Sequence, residues 1–229
     1  MANIILIMYL DFLKSYIDKS QFPESVFIHI PKCAGTSIKN HFNLVRGDGY
    51  HTTATQYIKQ FKPLILGDIS PDSVQEFLSY NPFTIVRNPY DRVVSWFFYH
   101  KNFYWLKSLY QNTTFEQWVL NGCEGHWHPK DQYWEKVDHF VFNIDDRPEA
   151  IWRQLNWLEF NHEVILPEDN IIRYEQLENT IPYLRTLHKA RRSERDRDYR
   201  KYYTNSKMID IVTELCKDDL EYFGYKFDD

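Results

Sequence analysis

Val26-Phe27-Ile28-His29-Ile30-Pro31-Lys32-Cys33-Ala34-Gly35-Thr36-Ser37 decides the fold. Five mostly apolar, β-prone residues run into a proline. A lysine, two small residues, a glycine and two hydroxyls follow, and Ile38-Lys39-Asn40-His41-Phe42 then opens a helix. Strand, loop and helix in this order make an anion cradle. Amides at a helix start hold anions, and glycine lets the backbone come close. Lys32 adds a point charge, while Thr36 and Ser37 add hydroxyl donors. The spacing differs from G-x-x-x-x-G-K-[ST], in which lysine directly precedes the hydroxyl. Here Lys32 stands three residues before Gly35, so it meets a phosphate from the opposite side of the loop. The plainer alternative is a strand-to-helix turn with a solvated Lys32.

Downstream, residues 53–61 read as a short helix and 63–69 as a buried strand. Ser70-Pro71-Asp72 supplies a cap, a proline and an acid for a helix over 72–80. Phe83-Thr84-Ile85-Val86-Arg87 is a second apolar strand, and Asn88-Pro89-Tyr90-Asp91 turns it into a helix over 89–103. Further helices are expected over 114–121, 148–160, 175–188 and 206–222, with strands over 138–144 and 170–174. Alternation of strands and helices predicts an α/β fold with a mostly parallel sheet flanked by helices. Ligands of such sheets bind outside the carboxyl ends of the strands, so both strand-to-helix loops belong on one rim.

The chain has 229 residues, enough for one α/β domain, and that is the expected organisation of 1–229. Its apolar N-terminal run, Ile4 to Leu10, is too short to span a bilayer and predicts a helix within 1–22 packed on the domain. A net charge of −5 argues against a general nucleic-acid binder. Three widely spaced cysteines, Cys33, Cys123 and Cys216, give neither a disulfide framework nor a metal-ligand pair. They fit a reducing compartment, so a cytoplasmic chain is expected.

Arg87-Asn88-Pro89-Tyr90-Asp91-Arg92-Val93-Val94-Ser95 joins a strand-end arginine to a serine eight residues on. Arginine grips phosphate through two parallel N–H bonds. The alternative is that Arg87 bridges to Asp91 and Ser95 only packs.

Together, PKCAGTS and RNPYDRVVSWFFYH resemble the PAPS-dependent sulfotransferases (PAPS is 3′-phosphoadenosine 5′-phosphosulfate). The likeness is to the carbohydrate type, which includes the heparan-sulfate 2-O and chondroitin enzymes and small bacterial relatives. It extends thinly through GYHTTA, HWHPKDQYW, IIRYEQLEN and DDLEYFGYKF, over residues 26–227. Cys33 stands where threonine is commoner, and Asn88 where aspartate is commoner.

The resemblance implies a P-loop-like three-layer fold and sulfuryl transfer from PAPS to a hydroxyl or amine, with adenosine 3′,5′-bisphosphate as product. Pro31, Lys32, Cys33, Ala34, Gly35, Thr36 and Ser37 would hold the 5′-phosphosulfate, and Arg87 and Ser95 the 3′-phosphate. Lys32 would stabilise the leaving phosphate. His51 is the first candidate for general base, with His126 and His128 next; its alternative is a loop histidine bonded to backbone. Glu175 is a further candidate for orienting acceptor or base. Arg192, Arg195 or Arg200, in the charge-dense 189–201, would close over the cofactor or meet an anionic acceptor. No metal is expected. The acceptor is a small molecule or saccharide, and neither a nucleic-acid partner nor a membrane span is expected. The competing readings are a nucleotide-dependent kinase with an atypical P-loop and a non-catalytic nucleotide- or partner-binding module.

Overall fold

The computed structural model describes residues 26–41, 51, 53–60, 71–102, 110, 112–123, 152–177 and 195–229. The expected N-terminal helix, the strands over 63–69 and 138–144, most of the helix over 175–188, and His126, His128, Arg191 and Arg192 lie outside them. The chain separates into two compact units, one of Met1–Val86 with Trp157–Ala190, the other of Arg87–Asn156 with Arg191–Asp229.

The first unit carries the parallel sheet, and the fold is α/β as the alternation predicts. Strands β1 (Phe27–Ile28), β2 (Phe83–Val86) and β5 (Ile171–Arg173) pair in the order β1-β2-β5, all parallel. All four residues of β2 are buried, which is why the strand is apolar along its length rather than alternating. Its one polar residue, Thr84, donates its hydroxyl to the Ile28 carbonyl at 2.9 Å. A parallel pair needs a long crossover. Here α1 (Gly35–His41), α2 (Ala54–Gln60) and α3 (Pro71–Ser79) lie in the chain between β1 and β2. Since β1 and β2 are parallel neighbours, their carboxyl ends lie at the same edge of the sheet.

The helix expected over 148–160 is replaced, within 152–160, by a 3₁₀ turn at Gln154–Trp157 and the hairpin β3 (Glu159–Phe160) to β4 (Glu163–Val164). Asn161 and His162, at φ 51° and 67°, form a two-residue turn with both φ positive. The usual glycine is missing from this turn, so its sequence signal is weak.

In the second unit, α4 (Pro89–Lys101), α5 (Phe115–Leu120), α6 (Ser206–Leu215) and α7 (Lys217–Phe223) contribute to an aromatic core. Asn88 caps α4 by accepting the Tyr90 N–H at 3.0 Å, and Pro89 occupies the first turn, where its missing N–H costs nothing. A reciprocal capping box between Thr114 and Gln117 starts α5. The expected helix over 206–222 breaks at Cys216, with no glycine or proline to mark the break. Trp96, Phe97, Tyr110, Phe115, Trp118 and Trp152 are buried against one another, with Trp96 and Trp152 edge to face at 5.5 Å. These rings form core.

Candidate active site

Helix α1 begins at Gly35, three residues before the expected Ile38, so Thr36 and Ser37 sit in its first turn, which holds no acidic residue. Lys32 and Ala34 take φ of 68° and 62°. Left-handed backbone costs a residue with a Cβ roughly 1–2 kcal/mol. Such strain persists where surrounding contacts over-determine it, and it clusters at functional sites. The local bonds are Cys33 N–H to the Ile30 carbonyl at 3.3 Å, and the N–H groups of Ser37 and Ile38 to the Ala34 carbonyl at 2.9 and 3.1 Å. Gly35 is required for a reason unseen in the sequence: a Cβ there would fall inside the His29 ring.

His29 is buried, and its ring lies 5.8 Å from Phe27 and 4.3 Å from His51. His51 Nδ1 is 2.8 Å from the His29 carbonyl oxygen. A carbonyl only accepts, so Nδ1 carries the proton and Nε2 the lone pair. The alternative reading of His51, a histidine bonded to backbone, is therefore present, and that bond sets its tautomer. The Trp157 indole N–H donates to the His51 carbonyl at 3.1 Å. Contacts through His29 therefore connect the loop to His51, while Glu175 is exposed.

In the second unit, Arg87 donates from Nε and Nη2 to Asp91 Oδ2 at 2.8 and 2.5 Å. The alternative salt bridge is therefore present, and it is part of something larger. Asp91 Oδ1 accepts from Arg195 Nη2 at 2.5 Å, and the Arg195 side chain is 4% exposed. One buried carboxylate orients two guanidiniums. Ser95, also buried, follows Asp91 by four residues on the same face of α4. Elsewhere in the basic stretch, Arg200 is exposed and bonds to Asp198 at 2.7 Å, while Lys201 bonds to Asp196 at 2.6 Å. The Lys201 bond holds Asp196 below the usual carboxylate range. These two pairs form a solvated face.

The profile of the Sulfotransferase family matches residues 20–226. The chain belongs to the Sulfotransferase family. No curated protein and no solved structure matches it.

A sulfotransferase moves a sulfuryl group from a sulfonate donor, so its site must manage anionic charge. Among the described residues no group of three or more His, Cys, Asp and Glu could hold a metal ion, and no helix is long and apolar enough to cross a membrane. The three cysteines are buried and form no disulfide, and burial pushes the Cys123 and Cys216 thiols up, away from nucleophilic use.

Gln154 and Asp219 escaped the sequence reading of the arginine site, as did the bond that Asn88 makes there. Gln154, fully buried, accepts the Arg87 N–H at 2.9 Å and donates to the Arg87 carbonyl at 2.9 Å. Asp219, also fully buried, accepts the N–H groups of Gln154 and Leu155 at 2.7 and 3.1 Å. Burial pushes its carboxyl up to about 6 against the pull of those bonds. Asn88 donates from Nδ2 to the Lys226 carbonyl at 2.8 Å, a bond that an ionised aspartate could not make. Asp219 sits in the DDLEYFGYKF ending, whereas nothing in the sequence marked Gln154.

Proposed function

We propose that this sulfotransferase uses PAPS as donor and a hydroxyl or amine, foremost a carbohydrate hydroxyl, as acceptor. The observation that carries the reading is the pair of buried guanidiniums, Arg87 and Arg195, oriented by Asp91 with Ser95 one turn further along α4. Paired guanidinium forks match a phosphate, and a 3′-phosphate is what separates PAPS from AMP and ATP. The donor set fits this cofactor on both counts: Arg87, Arg195 and Ser95 suit the 3′-phosphate, and the loop at 31–37 suits the 5′-phosphosulfate.

PAPS supplies an activated sulfuryl group whose departure leaves charge on a phosphate oxygen. Lys32 offers a mobile ammonium for that charge, and Gly35, Thr36 and Ser37 offer backbone and hydroxyl donors to hold the 5′-phosphate. His51 Nε2, with its proton on Nδ1 facing the His29 carbonyl, takes the acceptor's proton.

Calorimetry tests the donor. Adenosine 3′,5′-bisphosphate is expected to bind at least about tenfold more tightly than AMP, the equivalent of one charge-assisted bond. Tighter binding of ATP would overturn the donor and favour the kinase reading. An acceptor screen with labelled PAPS across saccharides, phenols and lipids tests the acceptor. Turnover confined to non-saccharides would overturn that half.

A further inference from the structure

We infer that Gln154 is a positioning residue, holding the Arg87 backbone from both sides so that its guanidinium meets the 3′-phosphate in one orientation. The inference rests on the donor reading above and adds a residue to it.

β2 ends at Val86, and Arg87, only 5% exposed, follows immediately. Beyond the last ladder pair, a buried residue's backbone N–H and C=O still need partners. One Gln154 side chain supplies both, accepting from the N–H and donating to the carbonyl, each at 2.9 Å. Two bonds to one residue set the orientation of its backbone as well as its position. Few other side chains do this here. Asparagine is one methylene shorter, ionised glutamate has no donor, and methionine has neither group.

Gln154 is itself held. Asp219 accepts its backbone N–H at 2.7 Å and that of Leu155 at 3.1 Å. A continuous path runs from Asp219 through Gln154 and Arg87 to Asp91, where Arg195 joins at 2.5 Å. A filler residue would satisfy one buried group. Gln154 satisfies the two groups that bracket the Cα from which the Arg87 side chain leaves.

The test compares the Kd of adenosine 3′,5′-bisphosphate with that of AMP for wild type, Gln154→Met and Gln154→Glu, each checked for folding by circular dichroism. Gln154→Met is expected to lower the ratio of the two affinities by about tenfold while AMP affinity stays within about twofold. Gln154→Glu keeps an acceptor for the Arg87 N–H and is expected to lose about threefold. It carries the test alone if the methionine variant does not fold. In a double-mutant cycle, Gln154→Met is expected to add nothing to Arg87→Ala. An unchanged ratio in a folded variant, equal losses for both nucleotides, or additive losses in the cycle would each overturn the positioning role. A wild type that binds the two nucleotides alike would overturn the donor reading itself, which separates the two failures.

Discussion

At residues 31–37 three backbone bonds run between near neighbours in the chain, whereas the Arg87 backbone bonds to a residue far along the chain. Backbone bonds in the loop join Cys33 to Ile30, and Ser37 and Ile38 to Ala34. At the turn, Gln154 lies 67 residues from Arg87, Lys226 lies 138 from Asn88, and Arg195 lies 104 from Asp91. The loop stores strain at Lys32 and Ala34, while the turn is a buried polar network. A network of distant partners exists only once the unit has folded, and breaking one member leaves others buried and unpaired.

The largest expected effect falls on the loop. Lys32→Ala is expected to lower the single-turnover rate by about 10³-fold while the affinity for adenosine 3′,5′-bisphosphate changes only a few-fold. Equal losses in rate and affinity would make Lys32 a binding residue instead.

The next effect falls on the network. Asp219 titrates near 6 in the fold against 3.8 for an ordinary aspartate. The folded state therefore holds this proton more tightly than the unfolded chain. The resulting stability is fully present below about pH 4 and is lost as pH rises through 6, by about 3 kcal/mol. Urea melts of wild type and Asp219→Asn between pH 4 and pH 7 should diverge by that amount. Parallel curves would show that the carboxylate titrates normally and that its two backbone bonds outweigh burial.

The third effect returns to the first unit. His51→Ala is expected to lower kcat by about 10²-fold and to flatten the acid limb of the pH–rate profile, because Nε2 can no longer accept a proton. A loss well below that would pass the role of base to His126 or His128. It would leave His51, bonded to the His29 carbonyl, as a support for the loop.

Much of this molecule is legible in short windows. The apolar run of β2, the Asn88–Pro89 start of α4 and the Thr114–Gln117 box each announce themselves within a few residues. The break at Cys216 and the hairpin turn at Asn161–His162 do not, since neither carries the residue that usually marks it. The candidate site divides the same way. Lys32, Gly35, Arg87 and Ser95 are readable as two motifs. In the motif Arg87 could equally grip a phosphate or bridge to Asp91; in the fold Asp91 orients it together with Arg195.

The sequence alone determined the α/β class, the strand–loop–helix at residues 26–41 and membership in the Sulfotransferase family, since each is carried by the types and order of residues along the chain. Tertiary structure decided the rest. It selected Arg195 for burial beside Asp91 and left Arg200 in solvent. It set the His51 tautomer through a carbonyl 22 residues away, and it closed Gln154 on Arg87. The physical reason is burial: a polar group withdrawn from water must find a partner, and which partner is near is a property of the folded chain.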